Sequence, residues 1–275
     1  MQIQHVTALD QPELAPYATL RQSKEHKGAG IFVAEGDKVV RRLLESAFGV
    51  VSVLLPEKRL AEFEPLLRAR PENVDVYIME LAELSQLIGF PFFQGVLAVG
   101  RVPRTPTLES RLAATPSPRL FVALDGLTNA ENVGLIVRNC AAFGVQALLW
   151  DGSSASPFLR RSVRNSMGTI FKLPVVETPA LAPTLSFLRA RGFRVLAAHP
   201  QKEQRWVGDA DFSGDCCVVL GSEGHGLSAP VLAACQEAVA IPMENGVGSL
   251  NVASAAAVFL YEAARQRRKG YRAET

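Results

Sequence analysis

Cysteine, histidine and long apolar runs are all scarce in this 275-residue sequence. Its cysteines form no CxxC pair and none lies at ligand spacing from a histidine, so we expect reduced, mostly buried thiols and no metal site. No apolar run reaches the roughly 18 residues that a membrane span needs, and the first residues lack the parts of a signal peptide. The sequence therefore predicts a cytoplasmic protein without a membrane segment. The four cysteines are Cys140, Cys216, Cys217 and Cys235.

A large excess of one charge is also lacking, since the formal net charge is only +2. The charge is unevenly spread: residues 1–100 carry 10 basic and 13 acidic side chains, and residues 101–275 carry 19 and 14. A mildly basic C-terminal part fits a polyanionic partner, although so small a difference decides nothing alone. With 48% hydrophobic residues the chain is able to bury a large core, and its length suits two domains.

Neither of the common nucleotide-binding signatures is present. The glycines of LGSEGHGLS (220–228) follow the order G-x-x-G-x-G, whereas the dinucleotide fingerprint is G-x-G-x-x-G. No Gly-Lys-Ser/Thr follows, as a phosphate loop requires. These absences disfavour a small-molecule α/β enzyme that uses either device. Two interpretations of residues 220–228 remain. The segment is a flexible loop whose backbone is able to approach a ligand closely, or it is an ordinary strand-to-helix turn.

Two series of alternating strands and helices are separated by a proline-rich segment. Residues 31–100 alternate short apolar runs with amphipathic stretches, which is typical of an α/β domain. Residues 102–118 contain four prolines and are interpreted as a linker, with room for a short helix. The second series begins with FVALDGL, and residues 249–270 are predicted as a terminal helix that ends in a basic turn. The predicted domains are therefore 1–101 and 119–275.

Three stretches place glycines and polar residues where a strand meets a helix, the usual location of a ligand in α/β sheets. They are NAENVGLIVRNCAAFG (129–144), LGSEGHGLS (220–228) and IPMENGVGSLNVASAAA (241–257). Arg138 follows Gly134 by one helical turn and is able to reach a phosphate or carboxylate, or to form an ordinary surface ion pair. A helix is predicted to begin near Ser249, capped by Ser249 or Asn245. Asn251, between two apolar residues, needs hydrogen-bond partners, and a ligand is one candidate.

In this order the three stretches resemble the motifs of the SpoU branch of the SPOUT RNA methyltransferases. The first motif is matched by Asn132, Gly134, Arg138 and Gly144, and the second by Leu220, Gly221, Glu223, Gly226 and Leu227. The third is matched by Ile241, Pro242, Met243, Ser249, Leu250, Asn251, Val252 and Ala255. The segment 158–174 is similar to the family's connection between motifs one and two. Residues 21–100 are similar, less specifically, to the small RNA-binding domain of many members.

The resemblance implies an α/β fold: a C-terminal SPOUT-type parallel-sheet domain tied in a trefoil knot, preceded by a small α/β RNA-binding domain. It also implies S-adenosylmethionine as the cofactor, a homodimer, and methyl transfer to a ribose 2′-hydroxyl of RNA. The residues expected to bind the cofactor are Leu220, Gly221, Gly226, Ile241, Pro242, Met243 and Leu250. Those expected to act in catalysis are Arg138, Asn132, Glu223, Ser249 and Asn251.

The sequence does not identify the base that removes the ribose proton. Family proposals give this role to the arginine that is Arg138 here, but a guanidinium stays protonated in proteins. We therefore expect Arg138 to clamp a phosphate beside the target ribose and to stabilise the developing alkoxide, with the proton lost to the phosphate or to water. His225 lies within the second motif, at a position where the family varies, and is a weaker catalytic candidate.

A basic cluster between motifs one and two is the candidate RNA-binding strip. It consists of Arg160, Arg161 and Arg164, which would otherwise lie on a solvated helix face. Ribosomal RNA of the 23S type is favoured as the substrate over transfer RNA, because the N-terminal domain looks like those that bind large-subunit RNA. The alternatives are a tRNA 2′-O-methyltransferase and a non-catalytic ribosome-assembly factor with the same fold.

Overall fold

The computed structural model describes residues 1–6, 8–20, 22–92, 95–199 and 205–268, apart from the side chains of residues 23 and 24. The helices in these residues are α1 (Ala15–Ala18), α2 (Ser23–Gly28), α3 (Asp37–Leu44), α4 (Glu57–Arg68), α5 (Leu81–Ile88), α6 (Leu108–Ala114), α7 (Ala130–Ala142), α8 (Arg160–Asn165), α9 (Leu181–Ala190), α10 (Ala229–Ala234) and α11 (Val252–Arg267). The strands are β1 (Gln2–His5), β2 (Ile31–Glu35), β3 (Val50–Leu55), β4 (Asp75–Ile78), β5 (Leu97–Arg101), β6 (Leu120–Asp125), β7 (Ala147–Trp150), β8 (Val175–Glu177), β9 (Arg194–Ala198), β10 (Arg205–Trp206), β11 (Cys216–Gly221) and β12 (Glu237–Ala240). Short 3-10 helices cover Pro12–Leu14 and Thr169–Lys172. Among the helices described here, none is both long and apolar enough to cross a bilayer.

The chain divides into two compact units. The first consists of Met1–Arg104 together with Pro157–Lys172, and the second of Thr105–Ser156 together with Leu173–Thr275. The first unit therefore includes a segment that lies far along the chain, a feature that the sequence did not indicate.

The first unit contains a five-stranded mixed sheet in the order β1-β4-β3-β5-β2. Strand β2 is almost fully buried, as its sequence IFVAE suggests, and it pairs antiparallel with β5. Gly100 on β5 faces the ring of Phe32 so closely that a Cβ there would lie 2.4 Å from the ring. A glycine is thus required at this position for Phe32 to enter the core.

The segment 157–172 completes the core of the first unit. Phe158 and Phe171 pack against Phe32 with ring centroids 6.1 and 5.6 Å away, and Phe171 also meets Phe48 at 5.3 Å. Such aromatic pairs bury much apolar area and add a favourable orientation-dependent attraction. The segment thereby supplies two of the four rings of this cluster.

The second unit contains a seven-stranded sheet in the order β10-β12-β9-β11-β6-β7-β8, and every pairing described in it is parallel. The central strands β6 and β11 are buried almost throughout, the pattern expected when both faces of a parallel sheet are covered. Helix α6, which lies in the predicted linker, contributes Leu112 to this core. The proline-rich segment is thus partly folded onto the second unit.

The predicted α/β elements of the second unit are present with shifted ends. The helix expected to start near Asn132 starts at Ala130, because the side chain of Asn129 caps it by accepting a hydrogen bond from the backbone N–H of Glu131 at 2.8 Å. The terminal helix is described to Arg267, and Lys269 and Gly270 lie outside the described residues. The trefoil knot stays a prediction.

Candidate active site

The three predicted motifs follow strands of the parallel sheet at its carboxyl edge. Motif one lies on α7 after β6, motif two in the loop after β11, and motif three in the loop between β12 and α11. Strands β6 and β11 are direct neighbours in register, from Leu120 beside Cys216 to Asp125 beside Gly221. Carboxyl ends of parallel strands meet at one edge, so residues distant in sequence converge there.

A hydrogen-bonded cluster of Asn132, Glu223 and Asn251 joins the three motifs. Glu223 Oε1 accepts from Asn132 Nδ2 at 2.8 Å and from Asn251 Nδ2 at 2.6 Å, and Asn251 Nδ2 also lies 3.1 Å from Asn132 Oδ1. Asn132 is 7% exposed, so its amide depends on these partners. We refer to these three residues as the amide–carboxylate cluster. It fixes the relative positions of α7, the motif-two loop and the start of α11.

Asn251 also caps α11, and the prediction that Ser249 or Asn245 would cap a helix starting near Ser249 is wrong. Asn251 Oδ1 accepts from the backbone N–H groups of Ala253 at 2.9 Å and Ser254 at 3.4 Å, and the helix begins at Val252. Ser249 is exposed in the preceding loop, and Asn245 has a left-handed φ of 55° there. An asparagine is suited to both tasks because its oxygen caps the helix while its nitrogen donates to Glu223.

A cavity of about 540 Å³ opens beside the cluster, along the carboxyl ends of β9, β10, β11 and β12. Glu223 and Ser249 line it, whereas Asn132, Asn251 and Arg138 are not among its lining residues in the part of the chain described. Most predicted cofactor residues also line it, while Pro242 does not. The predicted residues in the wall are Leu220, Gly221, Gly226, Ile241, Met243 and Leu250.

The motif-two loop folds back on itself so tightly that Gly221 has no room for a side chain. A Cβ at Gly221 would lie 2.4 Å from the carbonyl carbon of Gly226. The loop is closed by paired backbone hydrogen bonds of 2.9 Å between Ser222 and Gly226, and Gly226 has a φ of 68°. The glycines of this motif therefore have a structural role in shaping the cavity wall, in addition to the close ligand approach expected from the sequence.

Two cavity residues, His199 and Trp206, were missed by the sequence reasoning. His199 directly follows β9, and its ring would lie 3.2 Å from a Cβ on Gly226. Trp206 ends the short edge strand β10 and is 43% exposed. No motif marks either residue; only the order of strands in the sheet brings them to the cavity.

Arg138 lies on α7 but outside the amide–carboxylate cluster. Its side chain is exposed, and no hydrogen bond or ion pair joins it to any described residue. Asn139, next to it, donates from Nδ2 to the carbonyl of Ala253 at 2.8 Å and so attaches α7 to α11. The helix that carries Arg138 is therefore held in place while the guanidinium itself is free.

The candidate RNA strip has two different kinds of arginine. Arg160 forms an ion pair with Glu35, and Arg164 Nη1 lies 2.9 Å from the other oxygen of that carboxylate. The Glu35 side chain is 2% exposed and that of Arg160 12%. Arg161 is exposed and has no side-chain partner among the described residues. Within the first unit, Arg160 and Arg164 thus neutralise a buried carboxylate, which leaves Arg161 as the unpaired cation of the three.

The described residues contain no group of three or more His, Cys, Asp or Glu side chains placed to hold a metal ion. All four cysteines are free thiols, and three of them are buried. Burial raises the pKa of Cys216 to about 11 and that of Cys235 to about 12, so both are protonated at neutral pH. Protonated thiols are poor nucleophiles and poor ligands.

Residues 119–261, which contain all three motifs and the cavity, match the model of the SpoU rRNA methylase family. The chain belongs to this family. The prediction of a SpoU-type RNA methyltransferase is therefore confirmed, and so is the α/β fold with a parallel sheet.

Known SpoU relatives resemble the chain over most of its length. An uncharacterized tRNA/rRNA methyltransferase of Mycobacterium tuberculosis is 33% identical over 96% of this chain and 93% of that protein. The 23S rRNA (guanosine-2′-O-)-methyltransferase RlmB of Acinetobacter baylyi is 32% identical over 81% of this chain and 98% of its own length. The crystal structure of the SpoU methyltransferase AviRb from Streptomyces viridochromogenes with AdoMet superimposes with a TM-score of 0.79 at 27% identity, covering 93% of this chain and 98% of that one.

Proposed function

We propose that this SpoU family member transfers a methyl group from S-adenosylmethionine to a ribose 2′-hydroxyl of 23S-type ribosomal RNA. The observation that carries the proposal is the amide–carboxylate cluster, in which one residue from each motif meets beside a cavity at the carboxyl edge of the sheet. The choice of ribosomal RNA is supported by the similarity to RlmB of Acinetobacter baylyi, a 23S rRNA methyltransferase matched over 98% of its length.

The cavity fits S-adenosylmethionine in size and in chemistry. Its volume of about 540 Å³ lies within the range of about 300–1,000 Å³ typical of small-molecule sites. Gly221, Ile241 and Leu250 line it, and backbone groups at such positions are suited to hold an adenosine, while the Glu223 carboxylate suits a cationic ligand. When bound, the cofactor supplies a methyl group made electrophilic by its positively charged sulfur.

The protein has to align the ribose oxygen and stabilise the charge that develops on it. Arg138 lies on α7 six residues after Asn132, is exposed and has no partner among the described residues. Its fork of N–H donors matches an RNA phosphate. We assign Arg138 to bind the phosphate beside the target ribose and to stabilise the developing alkoxide, while the hydroxyl proton leaves to that phosphate or to water. Asn132, Glu223 and Asn251 hold the loops that present cofactor and ribose, and exposed Ser249 lies at the cavity mouth as a further positioning group.

The active form is a homodimer in this proposal, and the cytoplasm is its location. Helices α7 and α11 lie side by side and carry exposed apolar residues: Leu135 is 37% exposed and Tyr261 59%. Tyr261 meets Phe143 edge-on, with ring centroids 6.3 Å apart. Exposed apolar side chains of this kind suit a self-complementary contact with a second copy. Light scattering after gel filtration measures the oligomeric state.

The proposal is tested by transfer of labelled methyl from S-adenosylmethionine to total RNA that lacks the modification. Ribosomal and transfer RNA are then separated and digested to nucleosides. We expect label in a 2′-O-methylated nucleoside of large-subunit ribosomal RNA. Label in transfer RNA alone would replace the substrate in the proposal. A protein that binds the cofactor but labels neither naked RNA nor ribosomal precursor particles would favour the assembly-factor alternative.

A further inference from the structure

Trp206 is an aromatic residue of the cavity wall that belongs to none of the three motifs. It is 43% exposed, and it is level with Ala240 in the parallel pairing of β10 with β12. The backbone N–H of the next residue, Val207, donates to the carbonyl of Ala240 at 2.8 Å, which holds this end of β10 against the sheet. The backbone that carries this large aromatic side chain is thus held at the cavity, and the side chain is left partly uncovered by the protein.

The order of strands separates Trp206 from the amide–carboxylate cluster. From β10 the sheet continues through β12 and β9 to β11, after which Glu223 follows. Three strand spacings of about 4.8 Å place the two ends roughly 14 Å apart. The cavity therefore has lining residues at the ends of four neighbouring strands, with Trp206 on the outermost, β10, and Glu223 just after the innermost, β11.

The two ends differ in chemistry. Near Glu223 the wall includes the polar residues Ser222 and His225, and the hydrogen bond from Asn132 joins it to α7, the helix that carries Arg138. In the proposed function the RNA approaches from this side. Near Trp206 the wall includes the apolar residue Ala240, which is level with it in the sheet, and Ile241, which follows Ala240. An elongated ligand with a cationic reacting group and a flat aromatic base suits this wall in one orientation, with its reacting group towards Glu223.

We propose that Trp206 stacks on the adenine base of the methyl donor and so sets the purine-binding end of the cavity. This inference rests on the proposed function. Indole rings offer a large flat surface for stacking. Base–aromatic stacking contributes about 1–3 kcal/mol per base, which corresponds to roughly 5- to 150-fold in affinity. His199 lies between the two ends, against Gly226, and holds the motif-two loop rather than the base.

Calorimetry with two probes tests this assignment without any turnover. S-adenosylhomocysteine carries both the adenosine and the amino-acid tail, whereas 5′-methylthioadenosine lacks the tail. We expect Trp206→Leu to weaken both probes by at least about fivefold, and Trp206→Phe to restore most of the affinity. Loss for S-adenosylhomocysteine alone would place Trp206 at the tail and overturn the proposal, and so would unchanged affinity for both. A wild-type chain that binds neither probe overturns the proposed function and this inference together.

Intrinsic fluorescence gives a second readout, because the sequence contains only two tryptophans. The other, Trp150, is 5% exposed and does not line the cavity. Titration with S-adenosylhomocysteine should quench the emission of the wild type and of Trp150→Phe. Trp206→Phe should bind the probe without that response. A response that persists in Trp206→Phe and disappears in Trp150→Phe would overturn the proposal.

Discussion

Helices α7 and α8 both carry arginines that the sequence marks as candidates for RNA phosphate, yet the structure gives these arginines opposite surroundings. On α7, Arg138 is exposed and has no partner among the described residues. On α8, Arg160 and Arg164 both pair with the buried carboxylate of Glu35. A free cation is available to a substrate, whereas a cation that neutralises a buried charge is needed by the fold. Arginines that look alike in sequence therefore differ in function according to whether a buried acidic residue of the same unit already pairs with them.

The largest effect is expected at Arg138. Arg138→Ala should lower methyl transfer by roughly a hundred- to a thousandfold, the loss typical when a group that stabilises developing charge is removed. Binding of S-adenosylhomocysteine should change little, because Arg138 does not line the cavity in the described part of the chain. Methyl transfer is measured under single-turnover conditions and binding by calorimetry. Retained transfer in this variant would remove Arg138 from the mechanism.

For Glu35 we expect a role in stability and not in methyl transfer. Glu35→Ala leaves the largely buried guanidinium of Arg160 without its carboxylate, and breaking such a pair costs about 3 kcal/mol of unfolding free energy. Urea unfolding followed by far-UV circular dichroism measures the change. Glu45→Ala is the matched control, since Glu45 is exposed and its loss alters the net charge equally. Equal stability of the two variants would show that the Arg160 pair is not needed by the fold.

Asn251 both caps α11 and donates to Glu223, and two substitutions distinguish these roles. The expected effect on stability is smaller than at Glu35. Asn251→Ala removes the helix cap and should lower the unfolding free energy by about 1 kcal/mol. Asn251→Asp keeps the capping oxygen but places a carboxylate against Glu223, so we expect it to retain the cap and to lose methyl transfer. Urea unfolding and a methyl-transfer assay distinguish the two. If Asn251→Asp were fully active, the donor to Glu223 would be dispensable.

The motifs predict where the candidate site is centred because each lies next to a strand end, and parallel strands converge at their carboxyl edge. Asn132, Glu223 and Asn251 were all expected there, and the structure joins them by hydrogen bonds. The choice of cap was wrong because three polar residues in one loop are equally good caps in sequence. Only the position of Glu223 favours Asn251 over Ser249 or Asn245.

Trp206 and the segment 157–172 were beyond sequence reasoning for a different reason. Strand β10 has two residues, too few for a periodic pattern, and its place beside β12 follows from the sheet order alone. Phe158 and Phe171 complete the core of a unit whose described strands all lie more than fifty residues earlier in the chain. Pairings over such distances leave no local signal in composition or spacing.

The smallest effect is expected at Arg161. Substitutions of Arg161 and Arg160 compare an unpaired arginine of α8 with one that pairs with Glu35. As the exposed arginine without a described partner, it is free to meet a phosphate, so Arg161→Ala should reduce the slope of log affinity for RNA against log salt by about 1. Stability should stay within about 0.5 kcal/mol of the wild type, as for most surface substitutions. Arg160→Ala should do the reverse, with lower stability and an unchanged slope. Filter binding of large-subunit RNA fragments at several salt concentrations measures both slopes. An unchanged slope in Arg161→Ala would remove α8 from the RNA surface and leave its arginines a purely structural role.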